Sequence, residues 1–121
     1  MEGINFADES MASENLPEDF EPYVKEWFND QFPGLSEPQK YAFDLIHNEE
    51  NSLICAPTGS GKTLSAFMSA LNELFRMGDE GELDDEIYVL YISPLRALSN
   101  DIERNLEDPL EGIGRRRRKW V

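Results

Sequence analysis

One stretch, residues 53–63 with the sequence LICAPTGSGKT, constrains this chain more than any other. It reads as an apolar run, a glycine-containing turn and then Lys-Thr at the start of a helical pattern. Gly59 and Gly61 let the backbone turn its N–H groups toward one point, where a Cβ atom would obstruct them. A helix that begins near Gly61 directs further N–H groups and its positive dipole end to the same place. The stretch therefore predicts a phosphate-binding loop.

Individual residues of this loop are predicted to bind particular groups of ATP. The general pattern is G-x-x-x-x-G-K-[ST], and Ala56 stands here where the first glycine is usual. Lys62 is expected to reach the β- and γ-phosphates, and the Thr63 hydroxyl to coordinate Mg²⁺. The positions between the ends of the pattern are filled by Pro57, Thr58, Gly59 and Ser60. The alternative is a glycine-rich turn that ends in Lys-Thr by chance, but strand, loop and helix all arrive in the required order.

Gln39, upstream of the loop, has two interpretations. In the first, Ser36 caps a helix and Gln39 at the third helical position reaches back to the cap, with Pro38 in the first turn. In the second, the Gln39 amide offers a donor and an acceptor side by side, which matches the N6 and N7 edge of adenine. One glutamine can do only one of these at a time, and the sequence leaves both open.

Two apolar runs predict strands. Residues 52–56 precede the phosphate loop, and residues 87–92, IYVLYI, follow the next helical pattern. Strand, helix and strand in this order form a right-handed βαβ unit with parallel strands. The fold class is therefore predicted as α/β, a partial P-loop domain with a parallel sheet flanked by helices.

Four helical segments are predicted. Phe20, Val24, Trp27 and Phe28 recur on one helical face, and Asp19 is a plausible N-cap for that helix. A second helix is expected over residues 37–47. A third, after the loop, carries an apolar stripe from residue 64 to residue 75. A fourth is expected from residue 95 to about residue 107, closed by the Asp-Pro pair at 108–109.

A second loop, at residues 93–98, follows the predicted strand 87–92. In open α/β sheets ligands bind beyond the carboxyl ends of strands, so this loop and the phosphate loop are expected to share one rim. Ser93 can either cap the next helix or donate to a phosphate oxygen, and Arg96 can pair with a phosphodiester. On composition alone, Arg96 is more often an ordinary surface arginine.

Composition excludes several classes. The 121 residues suffice for one modest domain, and the formal net charge of −14 disfavours long-range attraction to nucleic acid. The single cysteine, Cys55, cannot form a disulfide within the chain, which agrees with a cytoplasmic protein. No apolar run approaches the ~20 residues that span a membrane. Residues 1–16 are acidic without a sustained period and are predicted to be a disordered tail.

Taken together, these motifs resemble the start of the first motor domain of a superfamily 2 DNA helicase, most closely the large helicase-related (Lhr) group. The resemblance covers roughly residues 20–113 and is carried by Trp27-Phe28, Gln39, APTGSGKTLSAF at 56–67 and YISPLRALSNDIERNLEDPLEGI at 91–113. The N-terminal part of a helicase ATP-binding domain is accordingly predicted over residues 17–113. It implies a RecA-like ATP-binding domain and ATP-driven 3′ to 5′ translocation on single-stranded or partly duplex DNA, or on RNA. It also implies that Gln39 reads adenine, that Lys62 and Thr63 bind phosphate and Mg²⁺, and that residues 93–98, which include Ser93, Pro94, Leu95 and Arg96, contact the strand backbone.

Parts of that family's machinery have no counterpart in this sequence. The DExH motif that would position Mg²⁺ and polarise water is absent from the 121 residues, as is a second motor domain. We therefore expect a truncated N-terminal fragment, without a catalytic residue of its own and inactive alone. The alternatives are a stand-alone nucleotide-binding module and a split piece that complements a separately encoded remainder of the helicase.

The last segment, residues 114–121, departs from the resemblance. Residues 115–119 are five consecutive cations, followed by Trp120. Such a run could bind nucleic acid with Trp120 stacking on a base, or it could be the out-of-frame ending of a broken gene.

Overall fold

The computed structural model describes residues 3–57, 61–92 and 97–120, and within these ranges only the backbone of Lys62 and of residues 97–105. After a short 3₁₀ turn at Glu9–Met11 the helices are α1 at Pro22–Gln31, α2 at Glu37–His47, α3 at Lys62–Asp79 and α4 at Ala97–Trp120. Helix α2 packs on α3, and α4 packs mainly on α1 and also on α3. These contacts bring all four helices around one aromatic-rich core.

The predicted α/β fold class with a parallel sheet is wrong for the part of the chain that the structure describes, which contains helices and no strand. Residues 52–56 and 87–92 are irregular, and large apolar side chains in both runs are exposed, with Leu53 at 89% and Ile92 at 81%. A strand is stabilised only by pairing, and two strands alone would leave both outer edges unpaired. The helices bury their own apolar faces without a sheet.

Helix α1 supplies one side of the core. Its predicted apolar face is confirmed for Val24, Trp27 and Phe28, which are buried, and Phe20, which precedes the helix, is buried too. The predicted N-cap is wrong: Glu21 occupies that position ahead of Pro22, whose missing N–H costs nothing in the first turn. The remaining members of the buried cluster are Leu16, Tyr23, Phe43, Met68, Leu71 and Ile113.

Helix α4 continues past the end predicted for it. Pro109 lies inside the helix, where a proline normally costs about 3 kcal/mol. Contacts made beyond it offset that cost, because Ile113 is fully buried and Gly112 lies directly against the Trp27 indole. The sequence pattern missed this continuation since its stabilising contacts come from α1, far away in the chain.

Asp79, at the end of α3, links three helices. The Tyr23 hydroxyl of α1 donates a hydrogen bond to Asp79 Oδ2 at 2.5 Å, and Arg117 Nε of α4 donates to Oδ1. Burial opposes ionisation of this carboxyl, but the hydrogen bonds from Tyr23 and Arg117 outweigh it and hold the Asp79 pKa below its ordinary value of 3.8. The ionised form is therefore favoured by folding.

Asp79→Asn is expected to destabilise the protein most near neutral pH. A folded-state pKa below the unfolded value gives stability that is present above about pH 4 and is lost as pH falls through the folded pKa. The melting-temperature difference between the wild type and the variant should therefore shrink below about pH 4, as measured by circular dichroism. Asp85→Asn, at an exposed site, is the control; an equal pH profile for both variants would contradict the expectation.

The segment before α1 also contacts the helices. Leu16 is buried in the core, and Ser13 N–H donates to the Lys40 carbonyl of α2 at 2.8 Å. Among the helices of the described ranges, none combines the length and apolar character that crossing a membrane requires.

Candidate nucleotide-binding site

The start of helix α2 carries the first site residue, Gln39. The capping box is confirmed: Ser36 N–H donates to Gln39 Oε1 at 2.9 Å, and the Ser36 side chain accepts from the backbone of the same turn. Gln39 is 4% exposed, so its amide is held inside the protein rather than on the surface. The acceptor side of this amide is therefore occupied by the cap.

The donor side of the same amide reaches the phosphate-loop stretch. Gln39 Nε2 donates to the Gly61 carbonyl at 3.2 Å, although the two residues are 22 positions apart. Gly61 is the N-cap of α3 and adopts a left-handed conformation with φ of 86°. A Cβ atom there would lie 2.5 Å from Gln39 Nε2, so both the backbone conformation and the close approach require glycine. The structure thus joins two separately predicted site residues.

Ser65 is a further member of this contact that the sequence pattern does not single out. It is fully buried, and both its N–H and its hydroxyl donate to the Gly61 carbonyl at 3.1 Å. A serine one helical turn after a loop residue often bonds back to that carbonyl, and this spacing was the available signal. Three donors converge on one carbonyl and fix the end of the loop to the start of α3.

The structure describes only some of the other predicted site residues. Ala56 and Thr63 are partly buried and Pro57 is exposed. The predicted loop residues Thr58, Gly59 and Ser60 and the side chain of Lys62 lie outside the described residues, as does the second loop with Ser93, Pro94, Leu95 and Arg96. The described part of the site is therefore the junction between Gln39 on α2 and Gly61 at the start of α3.

This junction has the chemistry of an anion site. The first N–H groups of a helix have no carbonyl partner within the helix, and the helix dipole makes that end positive. Lys62 and Thr63 are the first two residues of α3, so a cation and a hydroxyl-bearing residue begin the helix directly after the left-handed glycine. Phosphate and Mg²⁺ fit this donor set, since the helix end and Lys62 suit an anion and a hydroxyl oxygen suits Mg²⁺.

A family model described as DEAD/DEAH box helicase matches residues 36–120. The chain belongs to the DEAD/DEAH box helicase family. The helicase match contains Gln39, the phosphate-loop stretch and the second loop, and it extends through the basic residues of α4.

Named helicases of the Lhr type are similar to this chain. The chain is 56% identical over 110 residues to ATP-dependent helicase Lhr-Core protein 2 of Thermococcus barophilus. The aligned residues make up 91% of this chain and 13% of that helicase. It is 50% identical over 110 residues to ATP-dependent helicase Lhr-Core of Methanocaldococcus jannaschii, with the same coverage of 91% and 13%. It is 41% identical over 117 residues to the Lhr helicase/uracil glycosylase of Escherichia coli, covering 93% of the chain and 8% of that helicase.

The chain thus spans about an eighth of the length of the first two helicases, 13% in each case. No solved structure gives a significant match to this member of the helicase family.

Proposed function

We propose that this chain is the ATP-binding N-terminal part of an Lhr-like, ATP-dependent 3′ to 5′ DNA helicase, active in the cytoplasm. One observation carries the proposal: Gln39 Nε2 bonds to the carbonyl of Gly61, the residue immediately before Lys62. A residue proposed to read adenine and a loop proposed to hold the phosphates are thereby adjacent. The resemblance of both motifs to helicase motifs supports the same assignment.

Within this proposal, different residues bind different parts of the nucleotide. The backbone of Ala56 to Gly61 and the Lys62 ammonium hold the phosphates, and the Thr63 hydroxyl coordinates Mg²⁺. Mg·ATP, when bound, supplies the phosphoanhydride bond whose hydrolysis drives a helicase. Gln39 reads adenine after its Oε1 is released from the Ser36 N–H and its Nε2 from the Gly61 carbonyl, because adenine needs both the acceptor and the donor side of this amide.

The polynucleotide partner is proposed to lie against the second loop. Ser93 and Arg96 would offer a hydroxyl and a guanidinium to a phosphodiester, and Pro94 and Leu95 belong to the same proposed contact segment. Single-stranded or partly duplex DNA is the expected substrate, with RNA as the competing one.

The chain alone is expected to bind Mg·ATP without hydrolysing it. The 121 residues contain no DExH motif, the motif that would position Mg²⁺ and polarise the attacking water. The measurement is phosphate release with and without a single-stranded oligonucleotide, alongside a calorimetric titration with Mg·ATP. Saturable binding of Mg·ATP is expected, with phosphate release no higher than in the protein-free blank. Phosphate release above that blank would show that a catalytic residue has been overlooked.

A second candidate, a split piece that works with a separately encoded remainder, is favoured by one surface. Ile87, Leu90 and Ile92 are 84%, 76% and 81% exposed, and large apolar side chains exposed in one short segment often mark a protein contact. This candidate predicts that DNA-stimulated hydrolysis appears only when a polypeptide carrying the DExH motif is added.

A further inference from the structure

Residues 87–92, termed the pairing run, expose apolar side chains and backbone groups together. Three of the large apolar side chains, those of Ile87, Leu90 and Ile92, are at least 76% exposed. The backbone N–H and C=O groups of the run form no hydrogen bond with any residue that the structure describes. A row of such backbone groups is a template on which another extended strand can pair.

The composition of the pairing run suits association with an identical segment. Its six residues include no charged residue, no proline and no glycine, and five of them are β-branched or aromatic. Short segments of this composition pair readily with copies of themselves, because no side chain has to lose a charge and every residue can join the ladder of backbone hydrogen bonds. The run of a second copy therefore meets the requirements of a partner strand.

The order of residues in the run favours a second copy in antiparallel orientation. The sequence Ile-Tyr-Val-Leu-Tyr-Ile reads almost the same in both directions, and only Val89 and Leu90 break the symmetry. An antiparallel second copy therefore brings aromatic or branched aliphatic side chains opposite one another along most of the run. With Val89 opposite its own counterpart, Ile87 of each copy lies opposite Tyr91 of the other, and aromatic–β-branched pairs of this kind stabilise a sheet. This arrangement has a two-fold axis and closes as a dimer.

The charges that flank the run favour the same orientation. Six acidic residues lie before it, within residues 79–86, and the first charged residue after it in the sequence is Arg96. Parallel pairing would set the acidic ends of two copies side by side, and like charges in that position are destabilising. Antiparallel pairing sets the acidic end of each copy beside the end of the other that leads to a cation. Charge complementarity thus selects a second copy with its run reversed.

Helix α3 supports the run from one side. The Tyr91 ring packs against the Phe67 ring of α3 with 5.4 Å between the ring centroids, and Phe67 is buried. In an extended segment alternate side chains share a face, so Ile87 and Val89 would face α3 together with Tyr91. A two-stranded ribbon alone is marginally stable, and packing against a helix is one way to stabilise it. The two-fold arrangement supplies one α3 from each copy on the same face.

We propose that the pairing run is a dimerisation surface, on which a second copy of this chain pairs in antiparallel orientation. The dimer goes beyond the proposed function and uses none of residues 56–63. Two copies that each carry a net charge of −14 repel one another, and salt screens this repulsion by shortening the Debye length from about 30 Å at 0.01 M to about 8 Å at 0.15 M. The dimer is therefore stronger at higher salt, whereas a dimer held only by ion pairs would be weaker.

Sedimentation velocity of the intact chain at increasing protein concentration, in low and in physiological salt, tests the proposal. A monomer–dimer equilibrium is expected, with a larger dimer fraction at physiological salt. Leu90→Lys should weaken dimerisation at least about tenfold, because it brings two like charges together near the two-fold axis. Leu53→Lys is the matched control, since Leu53 is 89% exposed, lies outside the pairing run and on replacement changes the net charge equally. Circular dichroism verifies that both variants keep their helices.

Disulfide formation tests the orientation, in a Cys55→Ala background that removes the only native thiol. Val89→Cys should cross-link two chains, because opposed Cβ atoms in an antiparallel pair lie about 4.5–5.5 Å apart. Asp85→Cys should not, because antiparallel pairing separates the two copies of this position by roughly 26 Å along the ribbon.

Three outcomes would overturn the proposal: a monomer at every concentration, an equal dimer fraction in Leu90→Lys and the wild type, or equal cross-linking of the two cysteine variants. A dimer that weakens as salt is added would also overturn it. The proposed function is read separately, from Mg·ATP affinity, which Leu90→Lys should retain.

Discussion

Lys62→Ala is expected to weaken Mg·ATP binding by roughly 30- to 150-fold. The variant removes a charge-assisted interaction with the β- and γ-phosphates, and an interaction of that kind contributes about 2–3 kcal/mol. The lysine follows the left-handed Gly61 directly and is the first residue of α3, so its removal leaves the helix end as the main anion-binding element. Isothermal titration with Mg·ATP measures the change.

Lys25→Ala is the matched control for this experiment, because Lys25 lies on the surface of α1, where its ammonium donates to the Glu18 carbonyl at 2.7 Å. Its affinity for Mg·ATP should equal that of the wild type. Equal affinities for all three proteins would mean that residues 56–63 are a glycine-rich turn without a nucleotide function.

The second large effect concerns two glycines of α4. Gly112→Ala should lower the free energy of unfolding by about 1–3 kcal/mol, the usual cost of forcing an extra methyl group into a packed site. The new Cβ atom would overlap Nε1 and Cδ1 of the Trp27 indole, and the ring cannot withdraw without leaving the core. Gly114→Ala should have the opposite sign and raise stability by about 0.5–1 kcal/mol, since alanine favours a helix over glycine.

The opposite signs make this pair of variants informative. Both lie inside α4, and a Cβ atom at Gly114 meets nothing within 4 Å. Urea unfolding measured by circular dichroism gives both free energies. If Gly112→Ala stabilised the protein as much as Gly114→Ala, the α1–α4 contact would be absent in solution.

The helices could be predicted from the sequence because their signals are local. The capping box at Ser36 and the apolar repeat of Trp27 and Phe28 identify α2 and α1 from a few neighbouring residues. The sheet could not be predicted in the same way. The unbroken run of β-branched, aromatic and leucine residues in 87–92 indicates a segment able to pair, but pairing depends on a partner elsewhere in space, and the described residues provide none.

The sequence singles out candidate site residues but not the contacts between them. Gln39 and Gly61 each follow from a motif, whereas their hydrogen bond depends on how α2 packs on α3. Both interpretations of Gln39 are informative: the cap is confirmed, and adenine recognition stays a prediction. The length of α4 was not predictable from Pro109, because the contacts that carry the helix past it belong to Trp27, Asp30 and Asp79.

The ties between α1 and α4 join residues that are far apart in the chain. Arg116 and Asp30 are separated by 86 positions, and Trp120 and Glu26 by 94. On a ribosome, Trp27 would emerge long before Gly112 and Ile113, the residues that cover it. Contacts of such long range require a large loop to close first, which slows folding. Nascent chains of this protein therefore expose an unshielded aromatic face until α4 has been synthesised, which is the interval in which chaperones would bind.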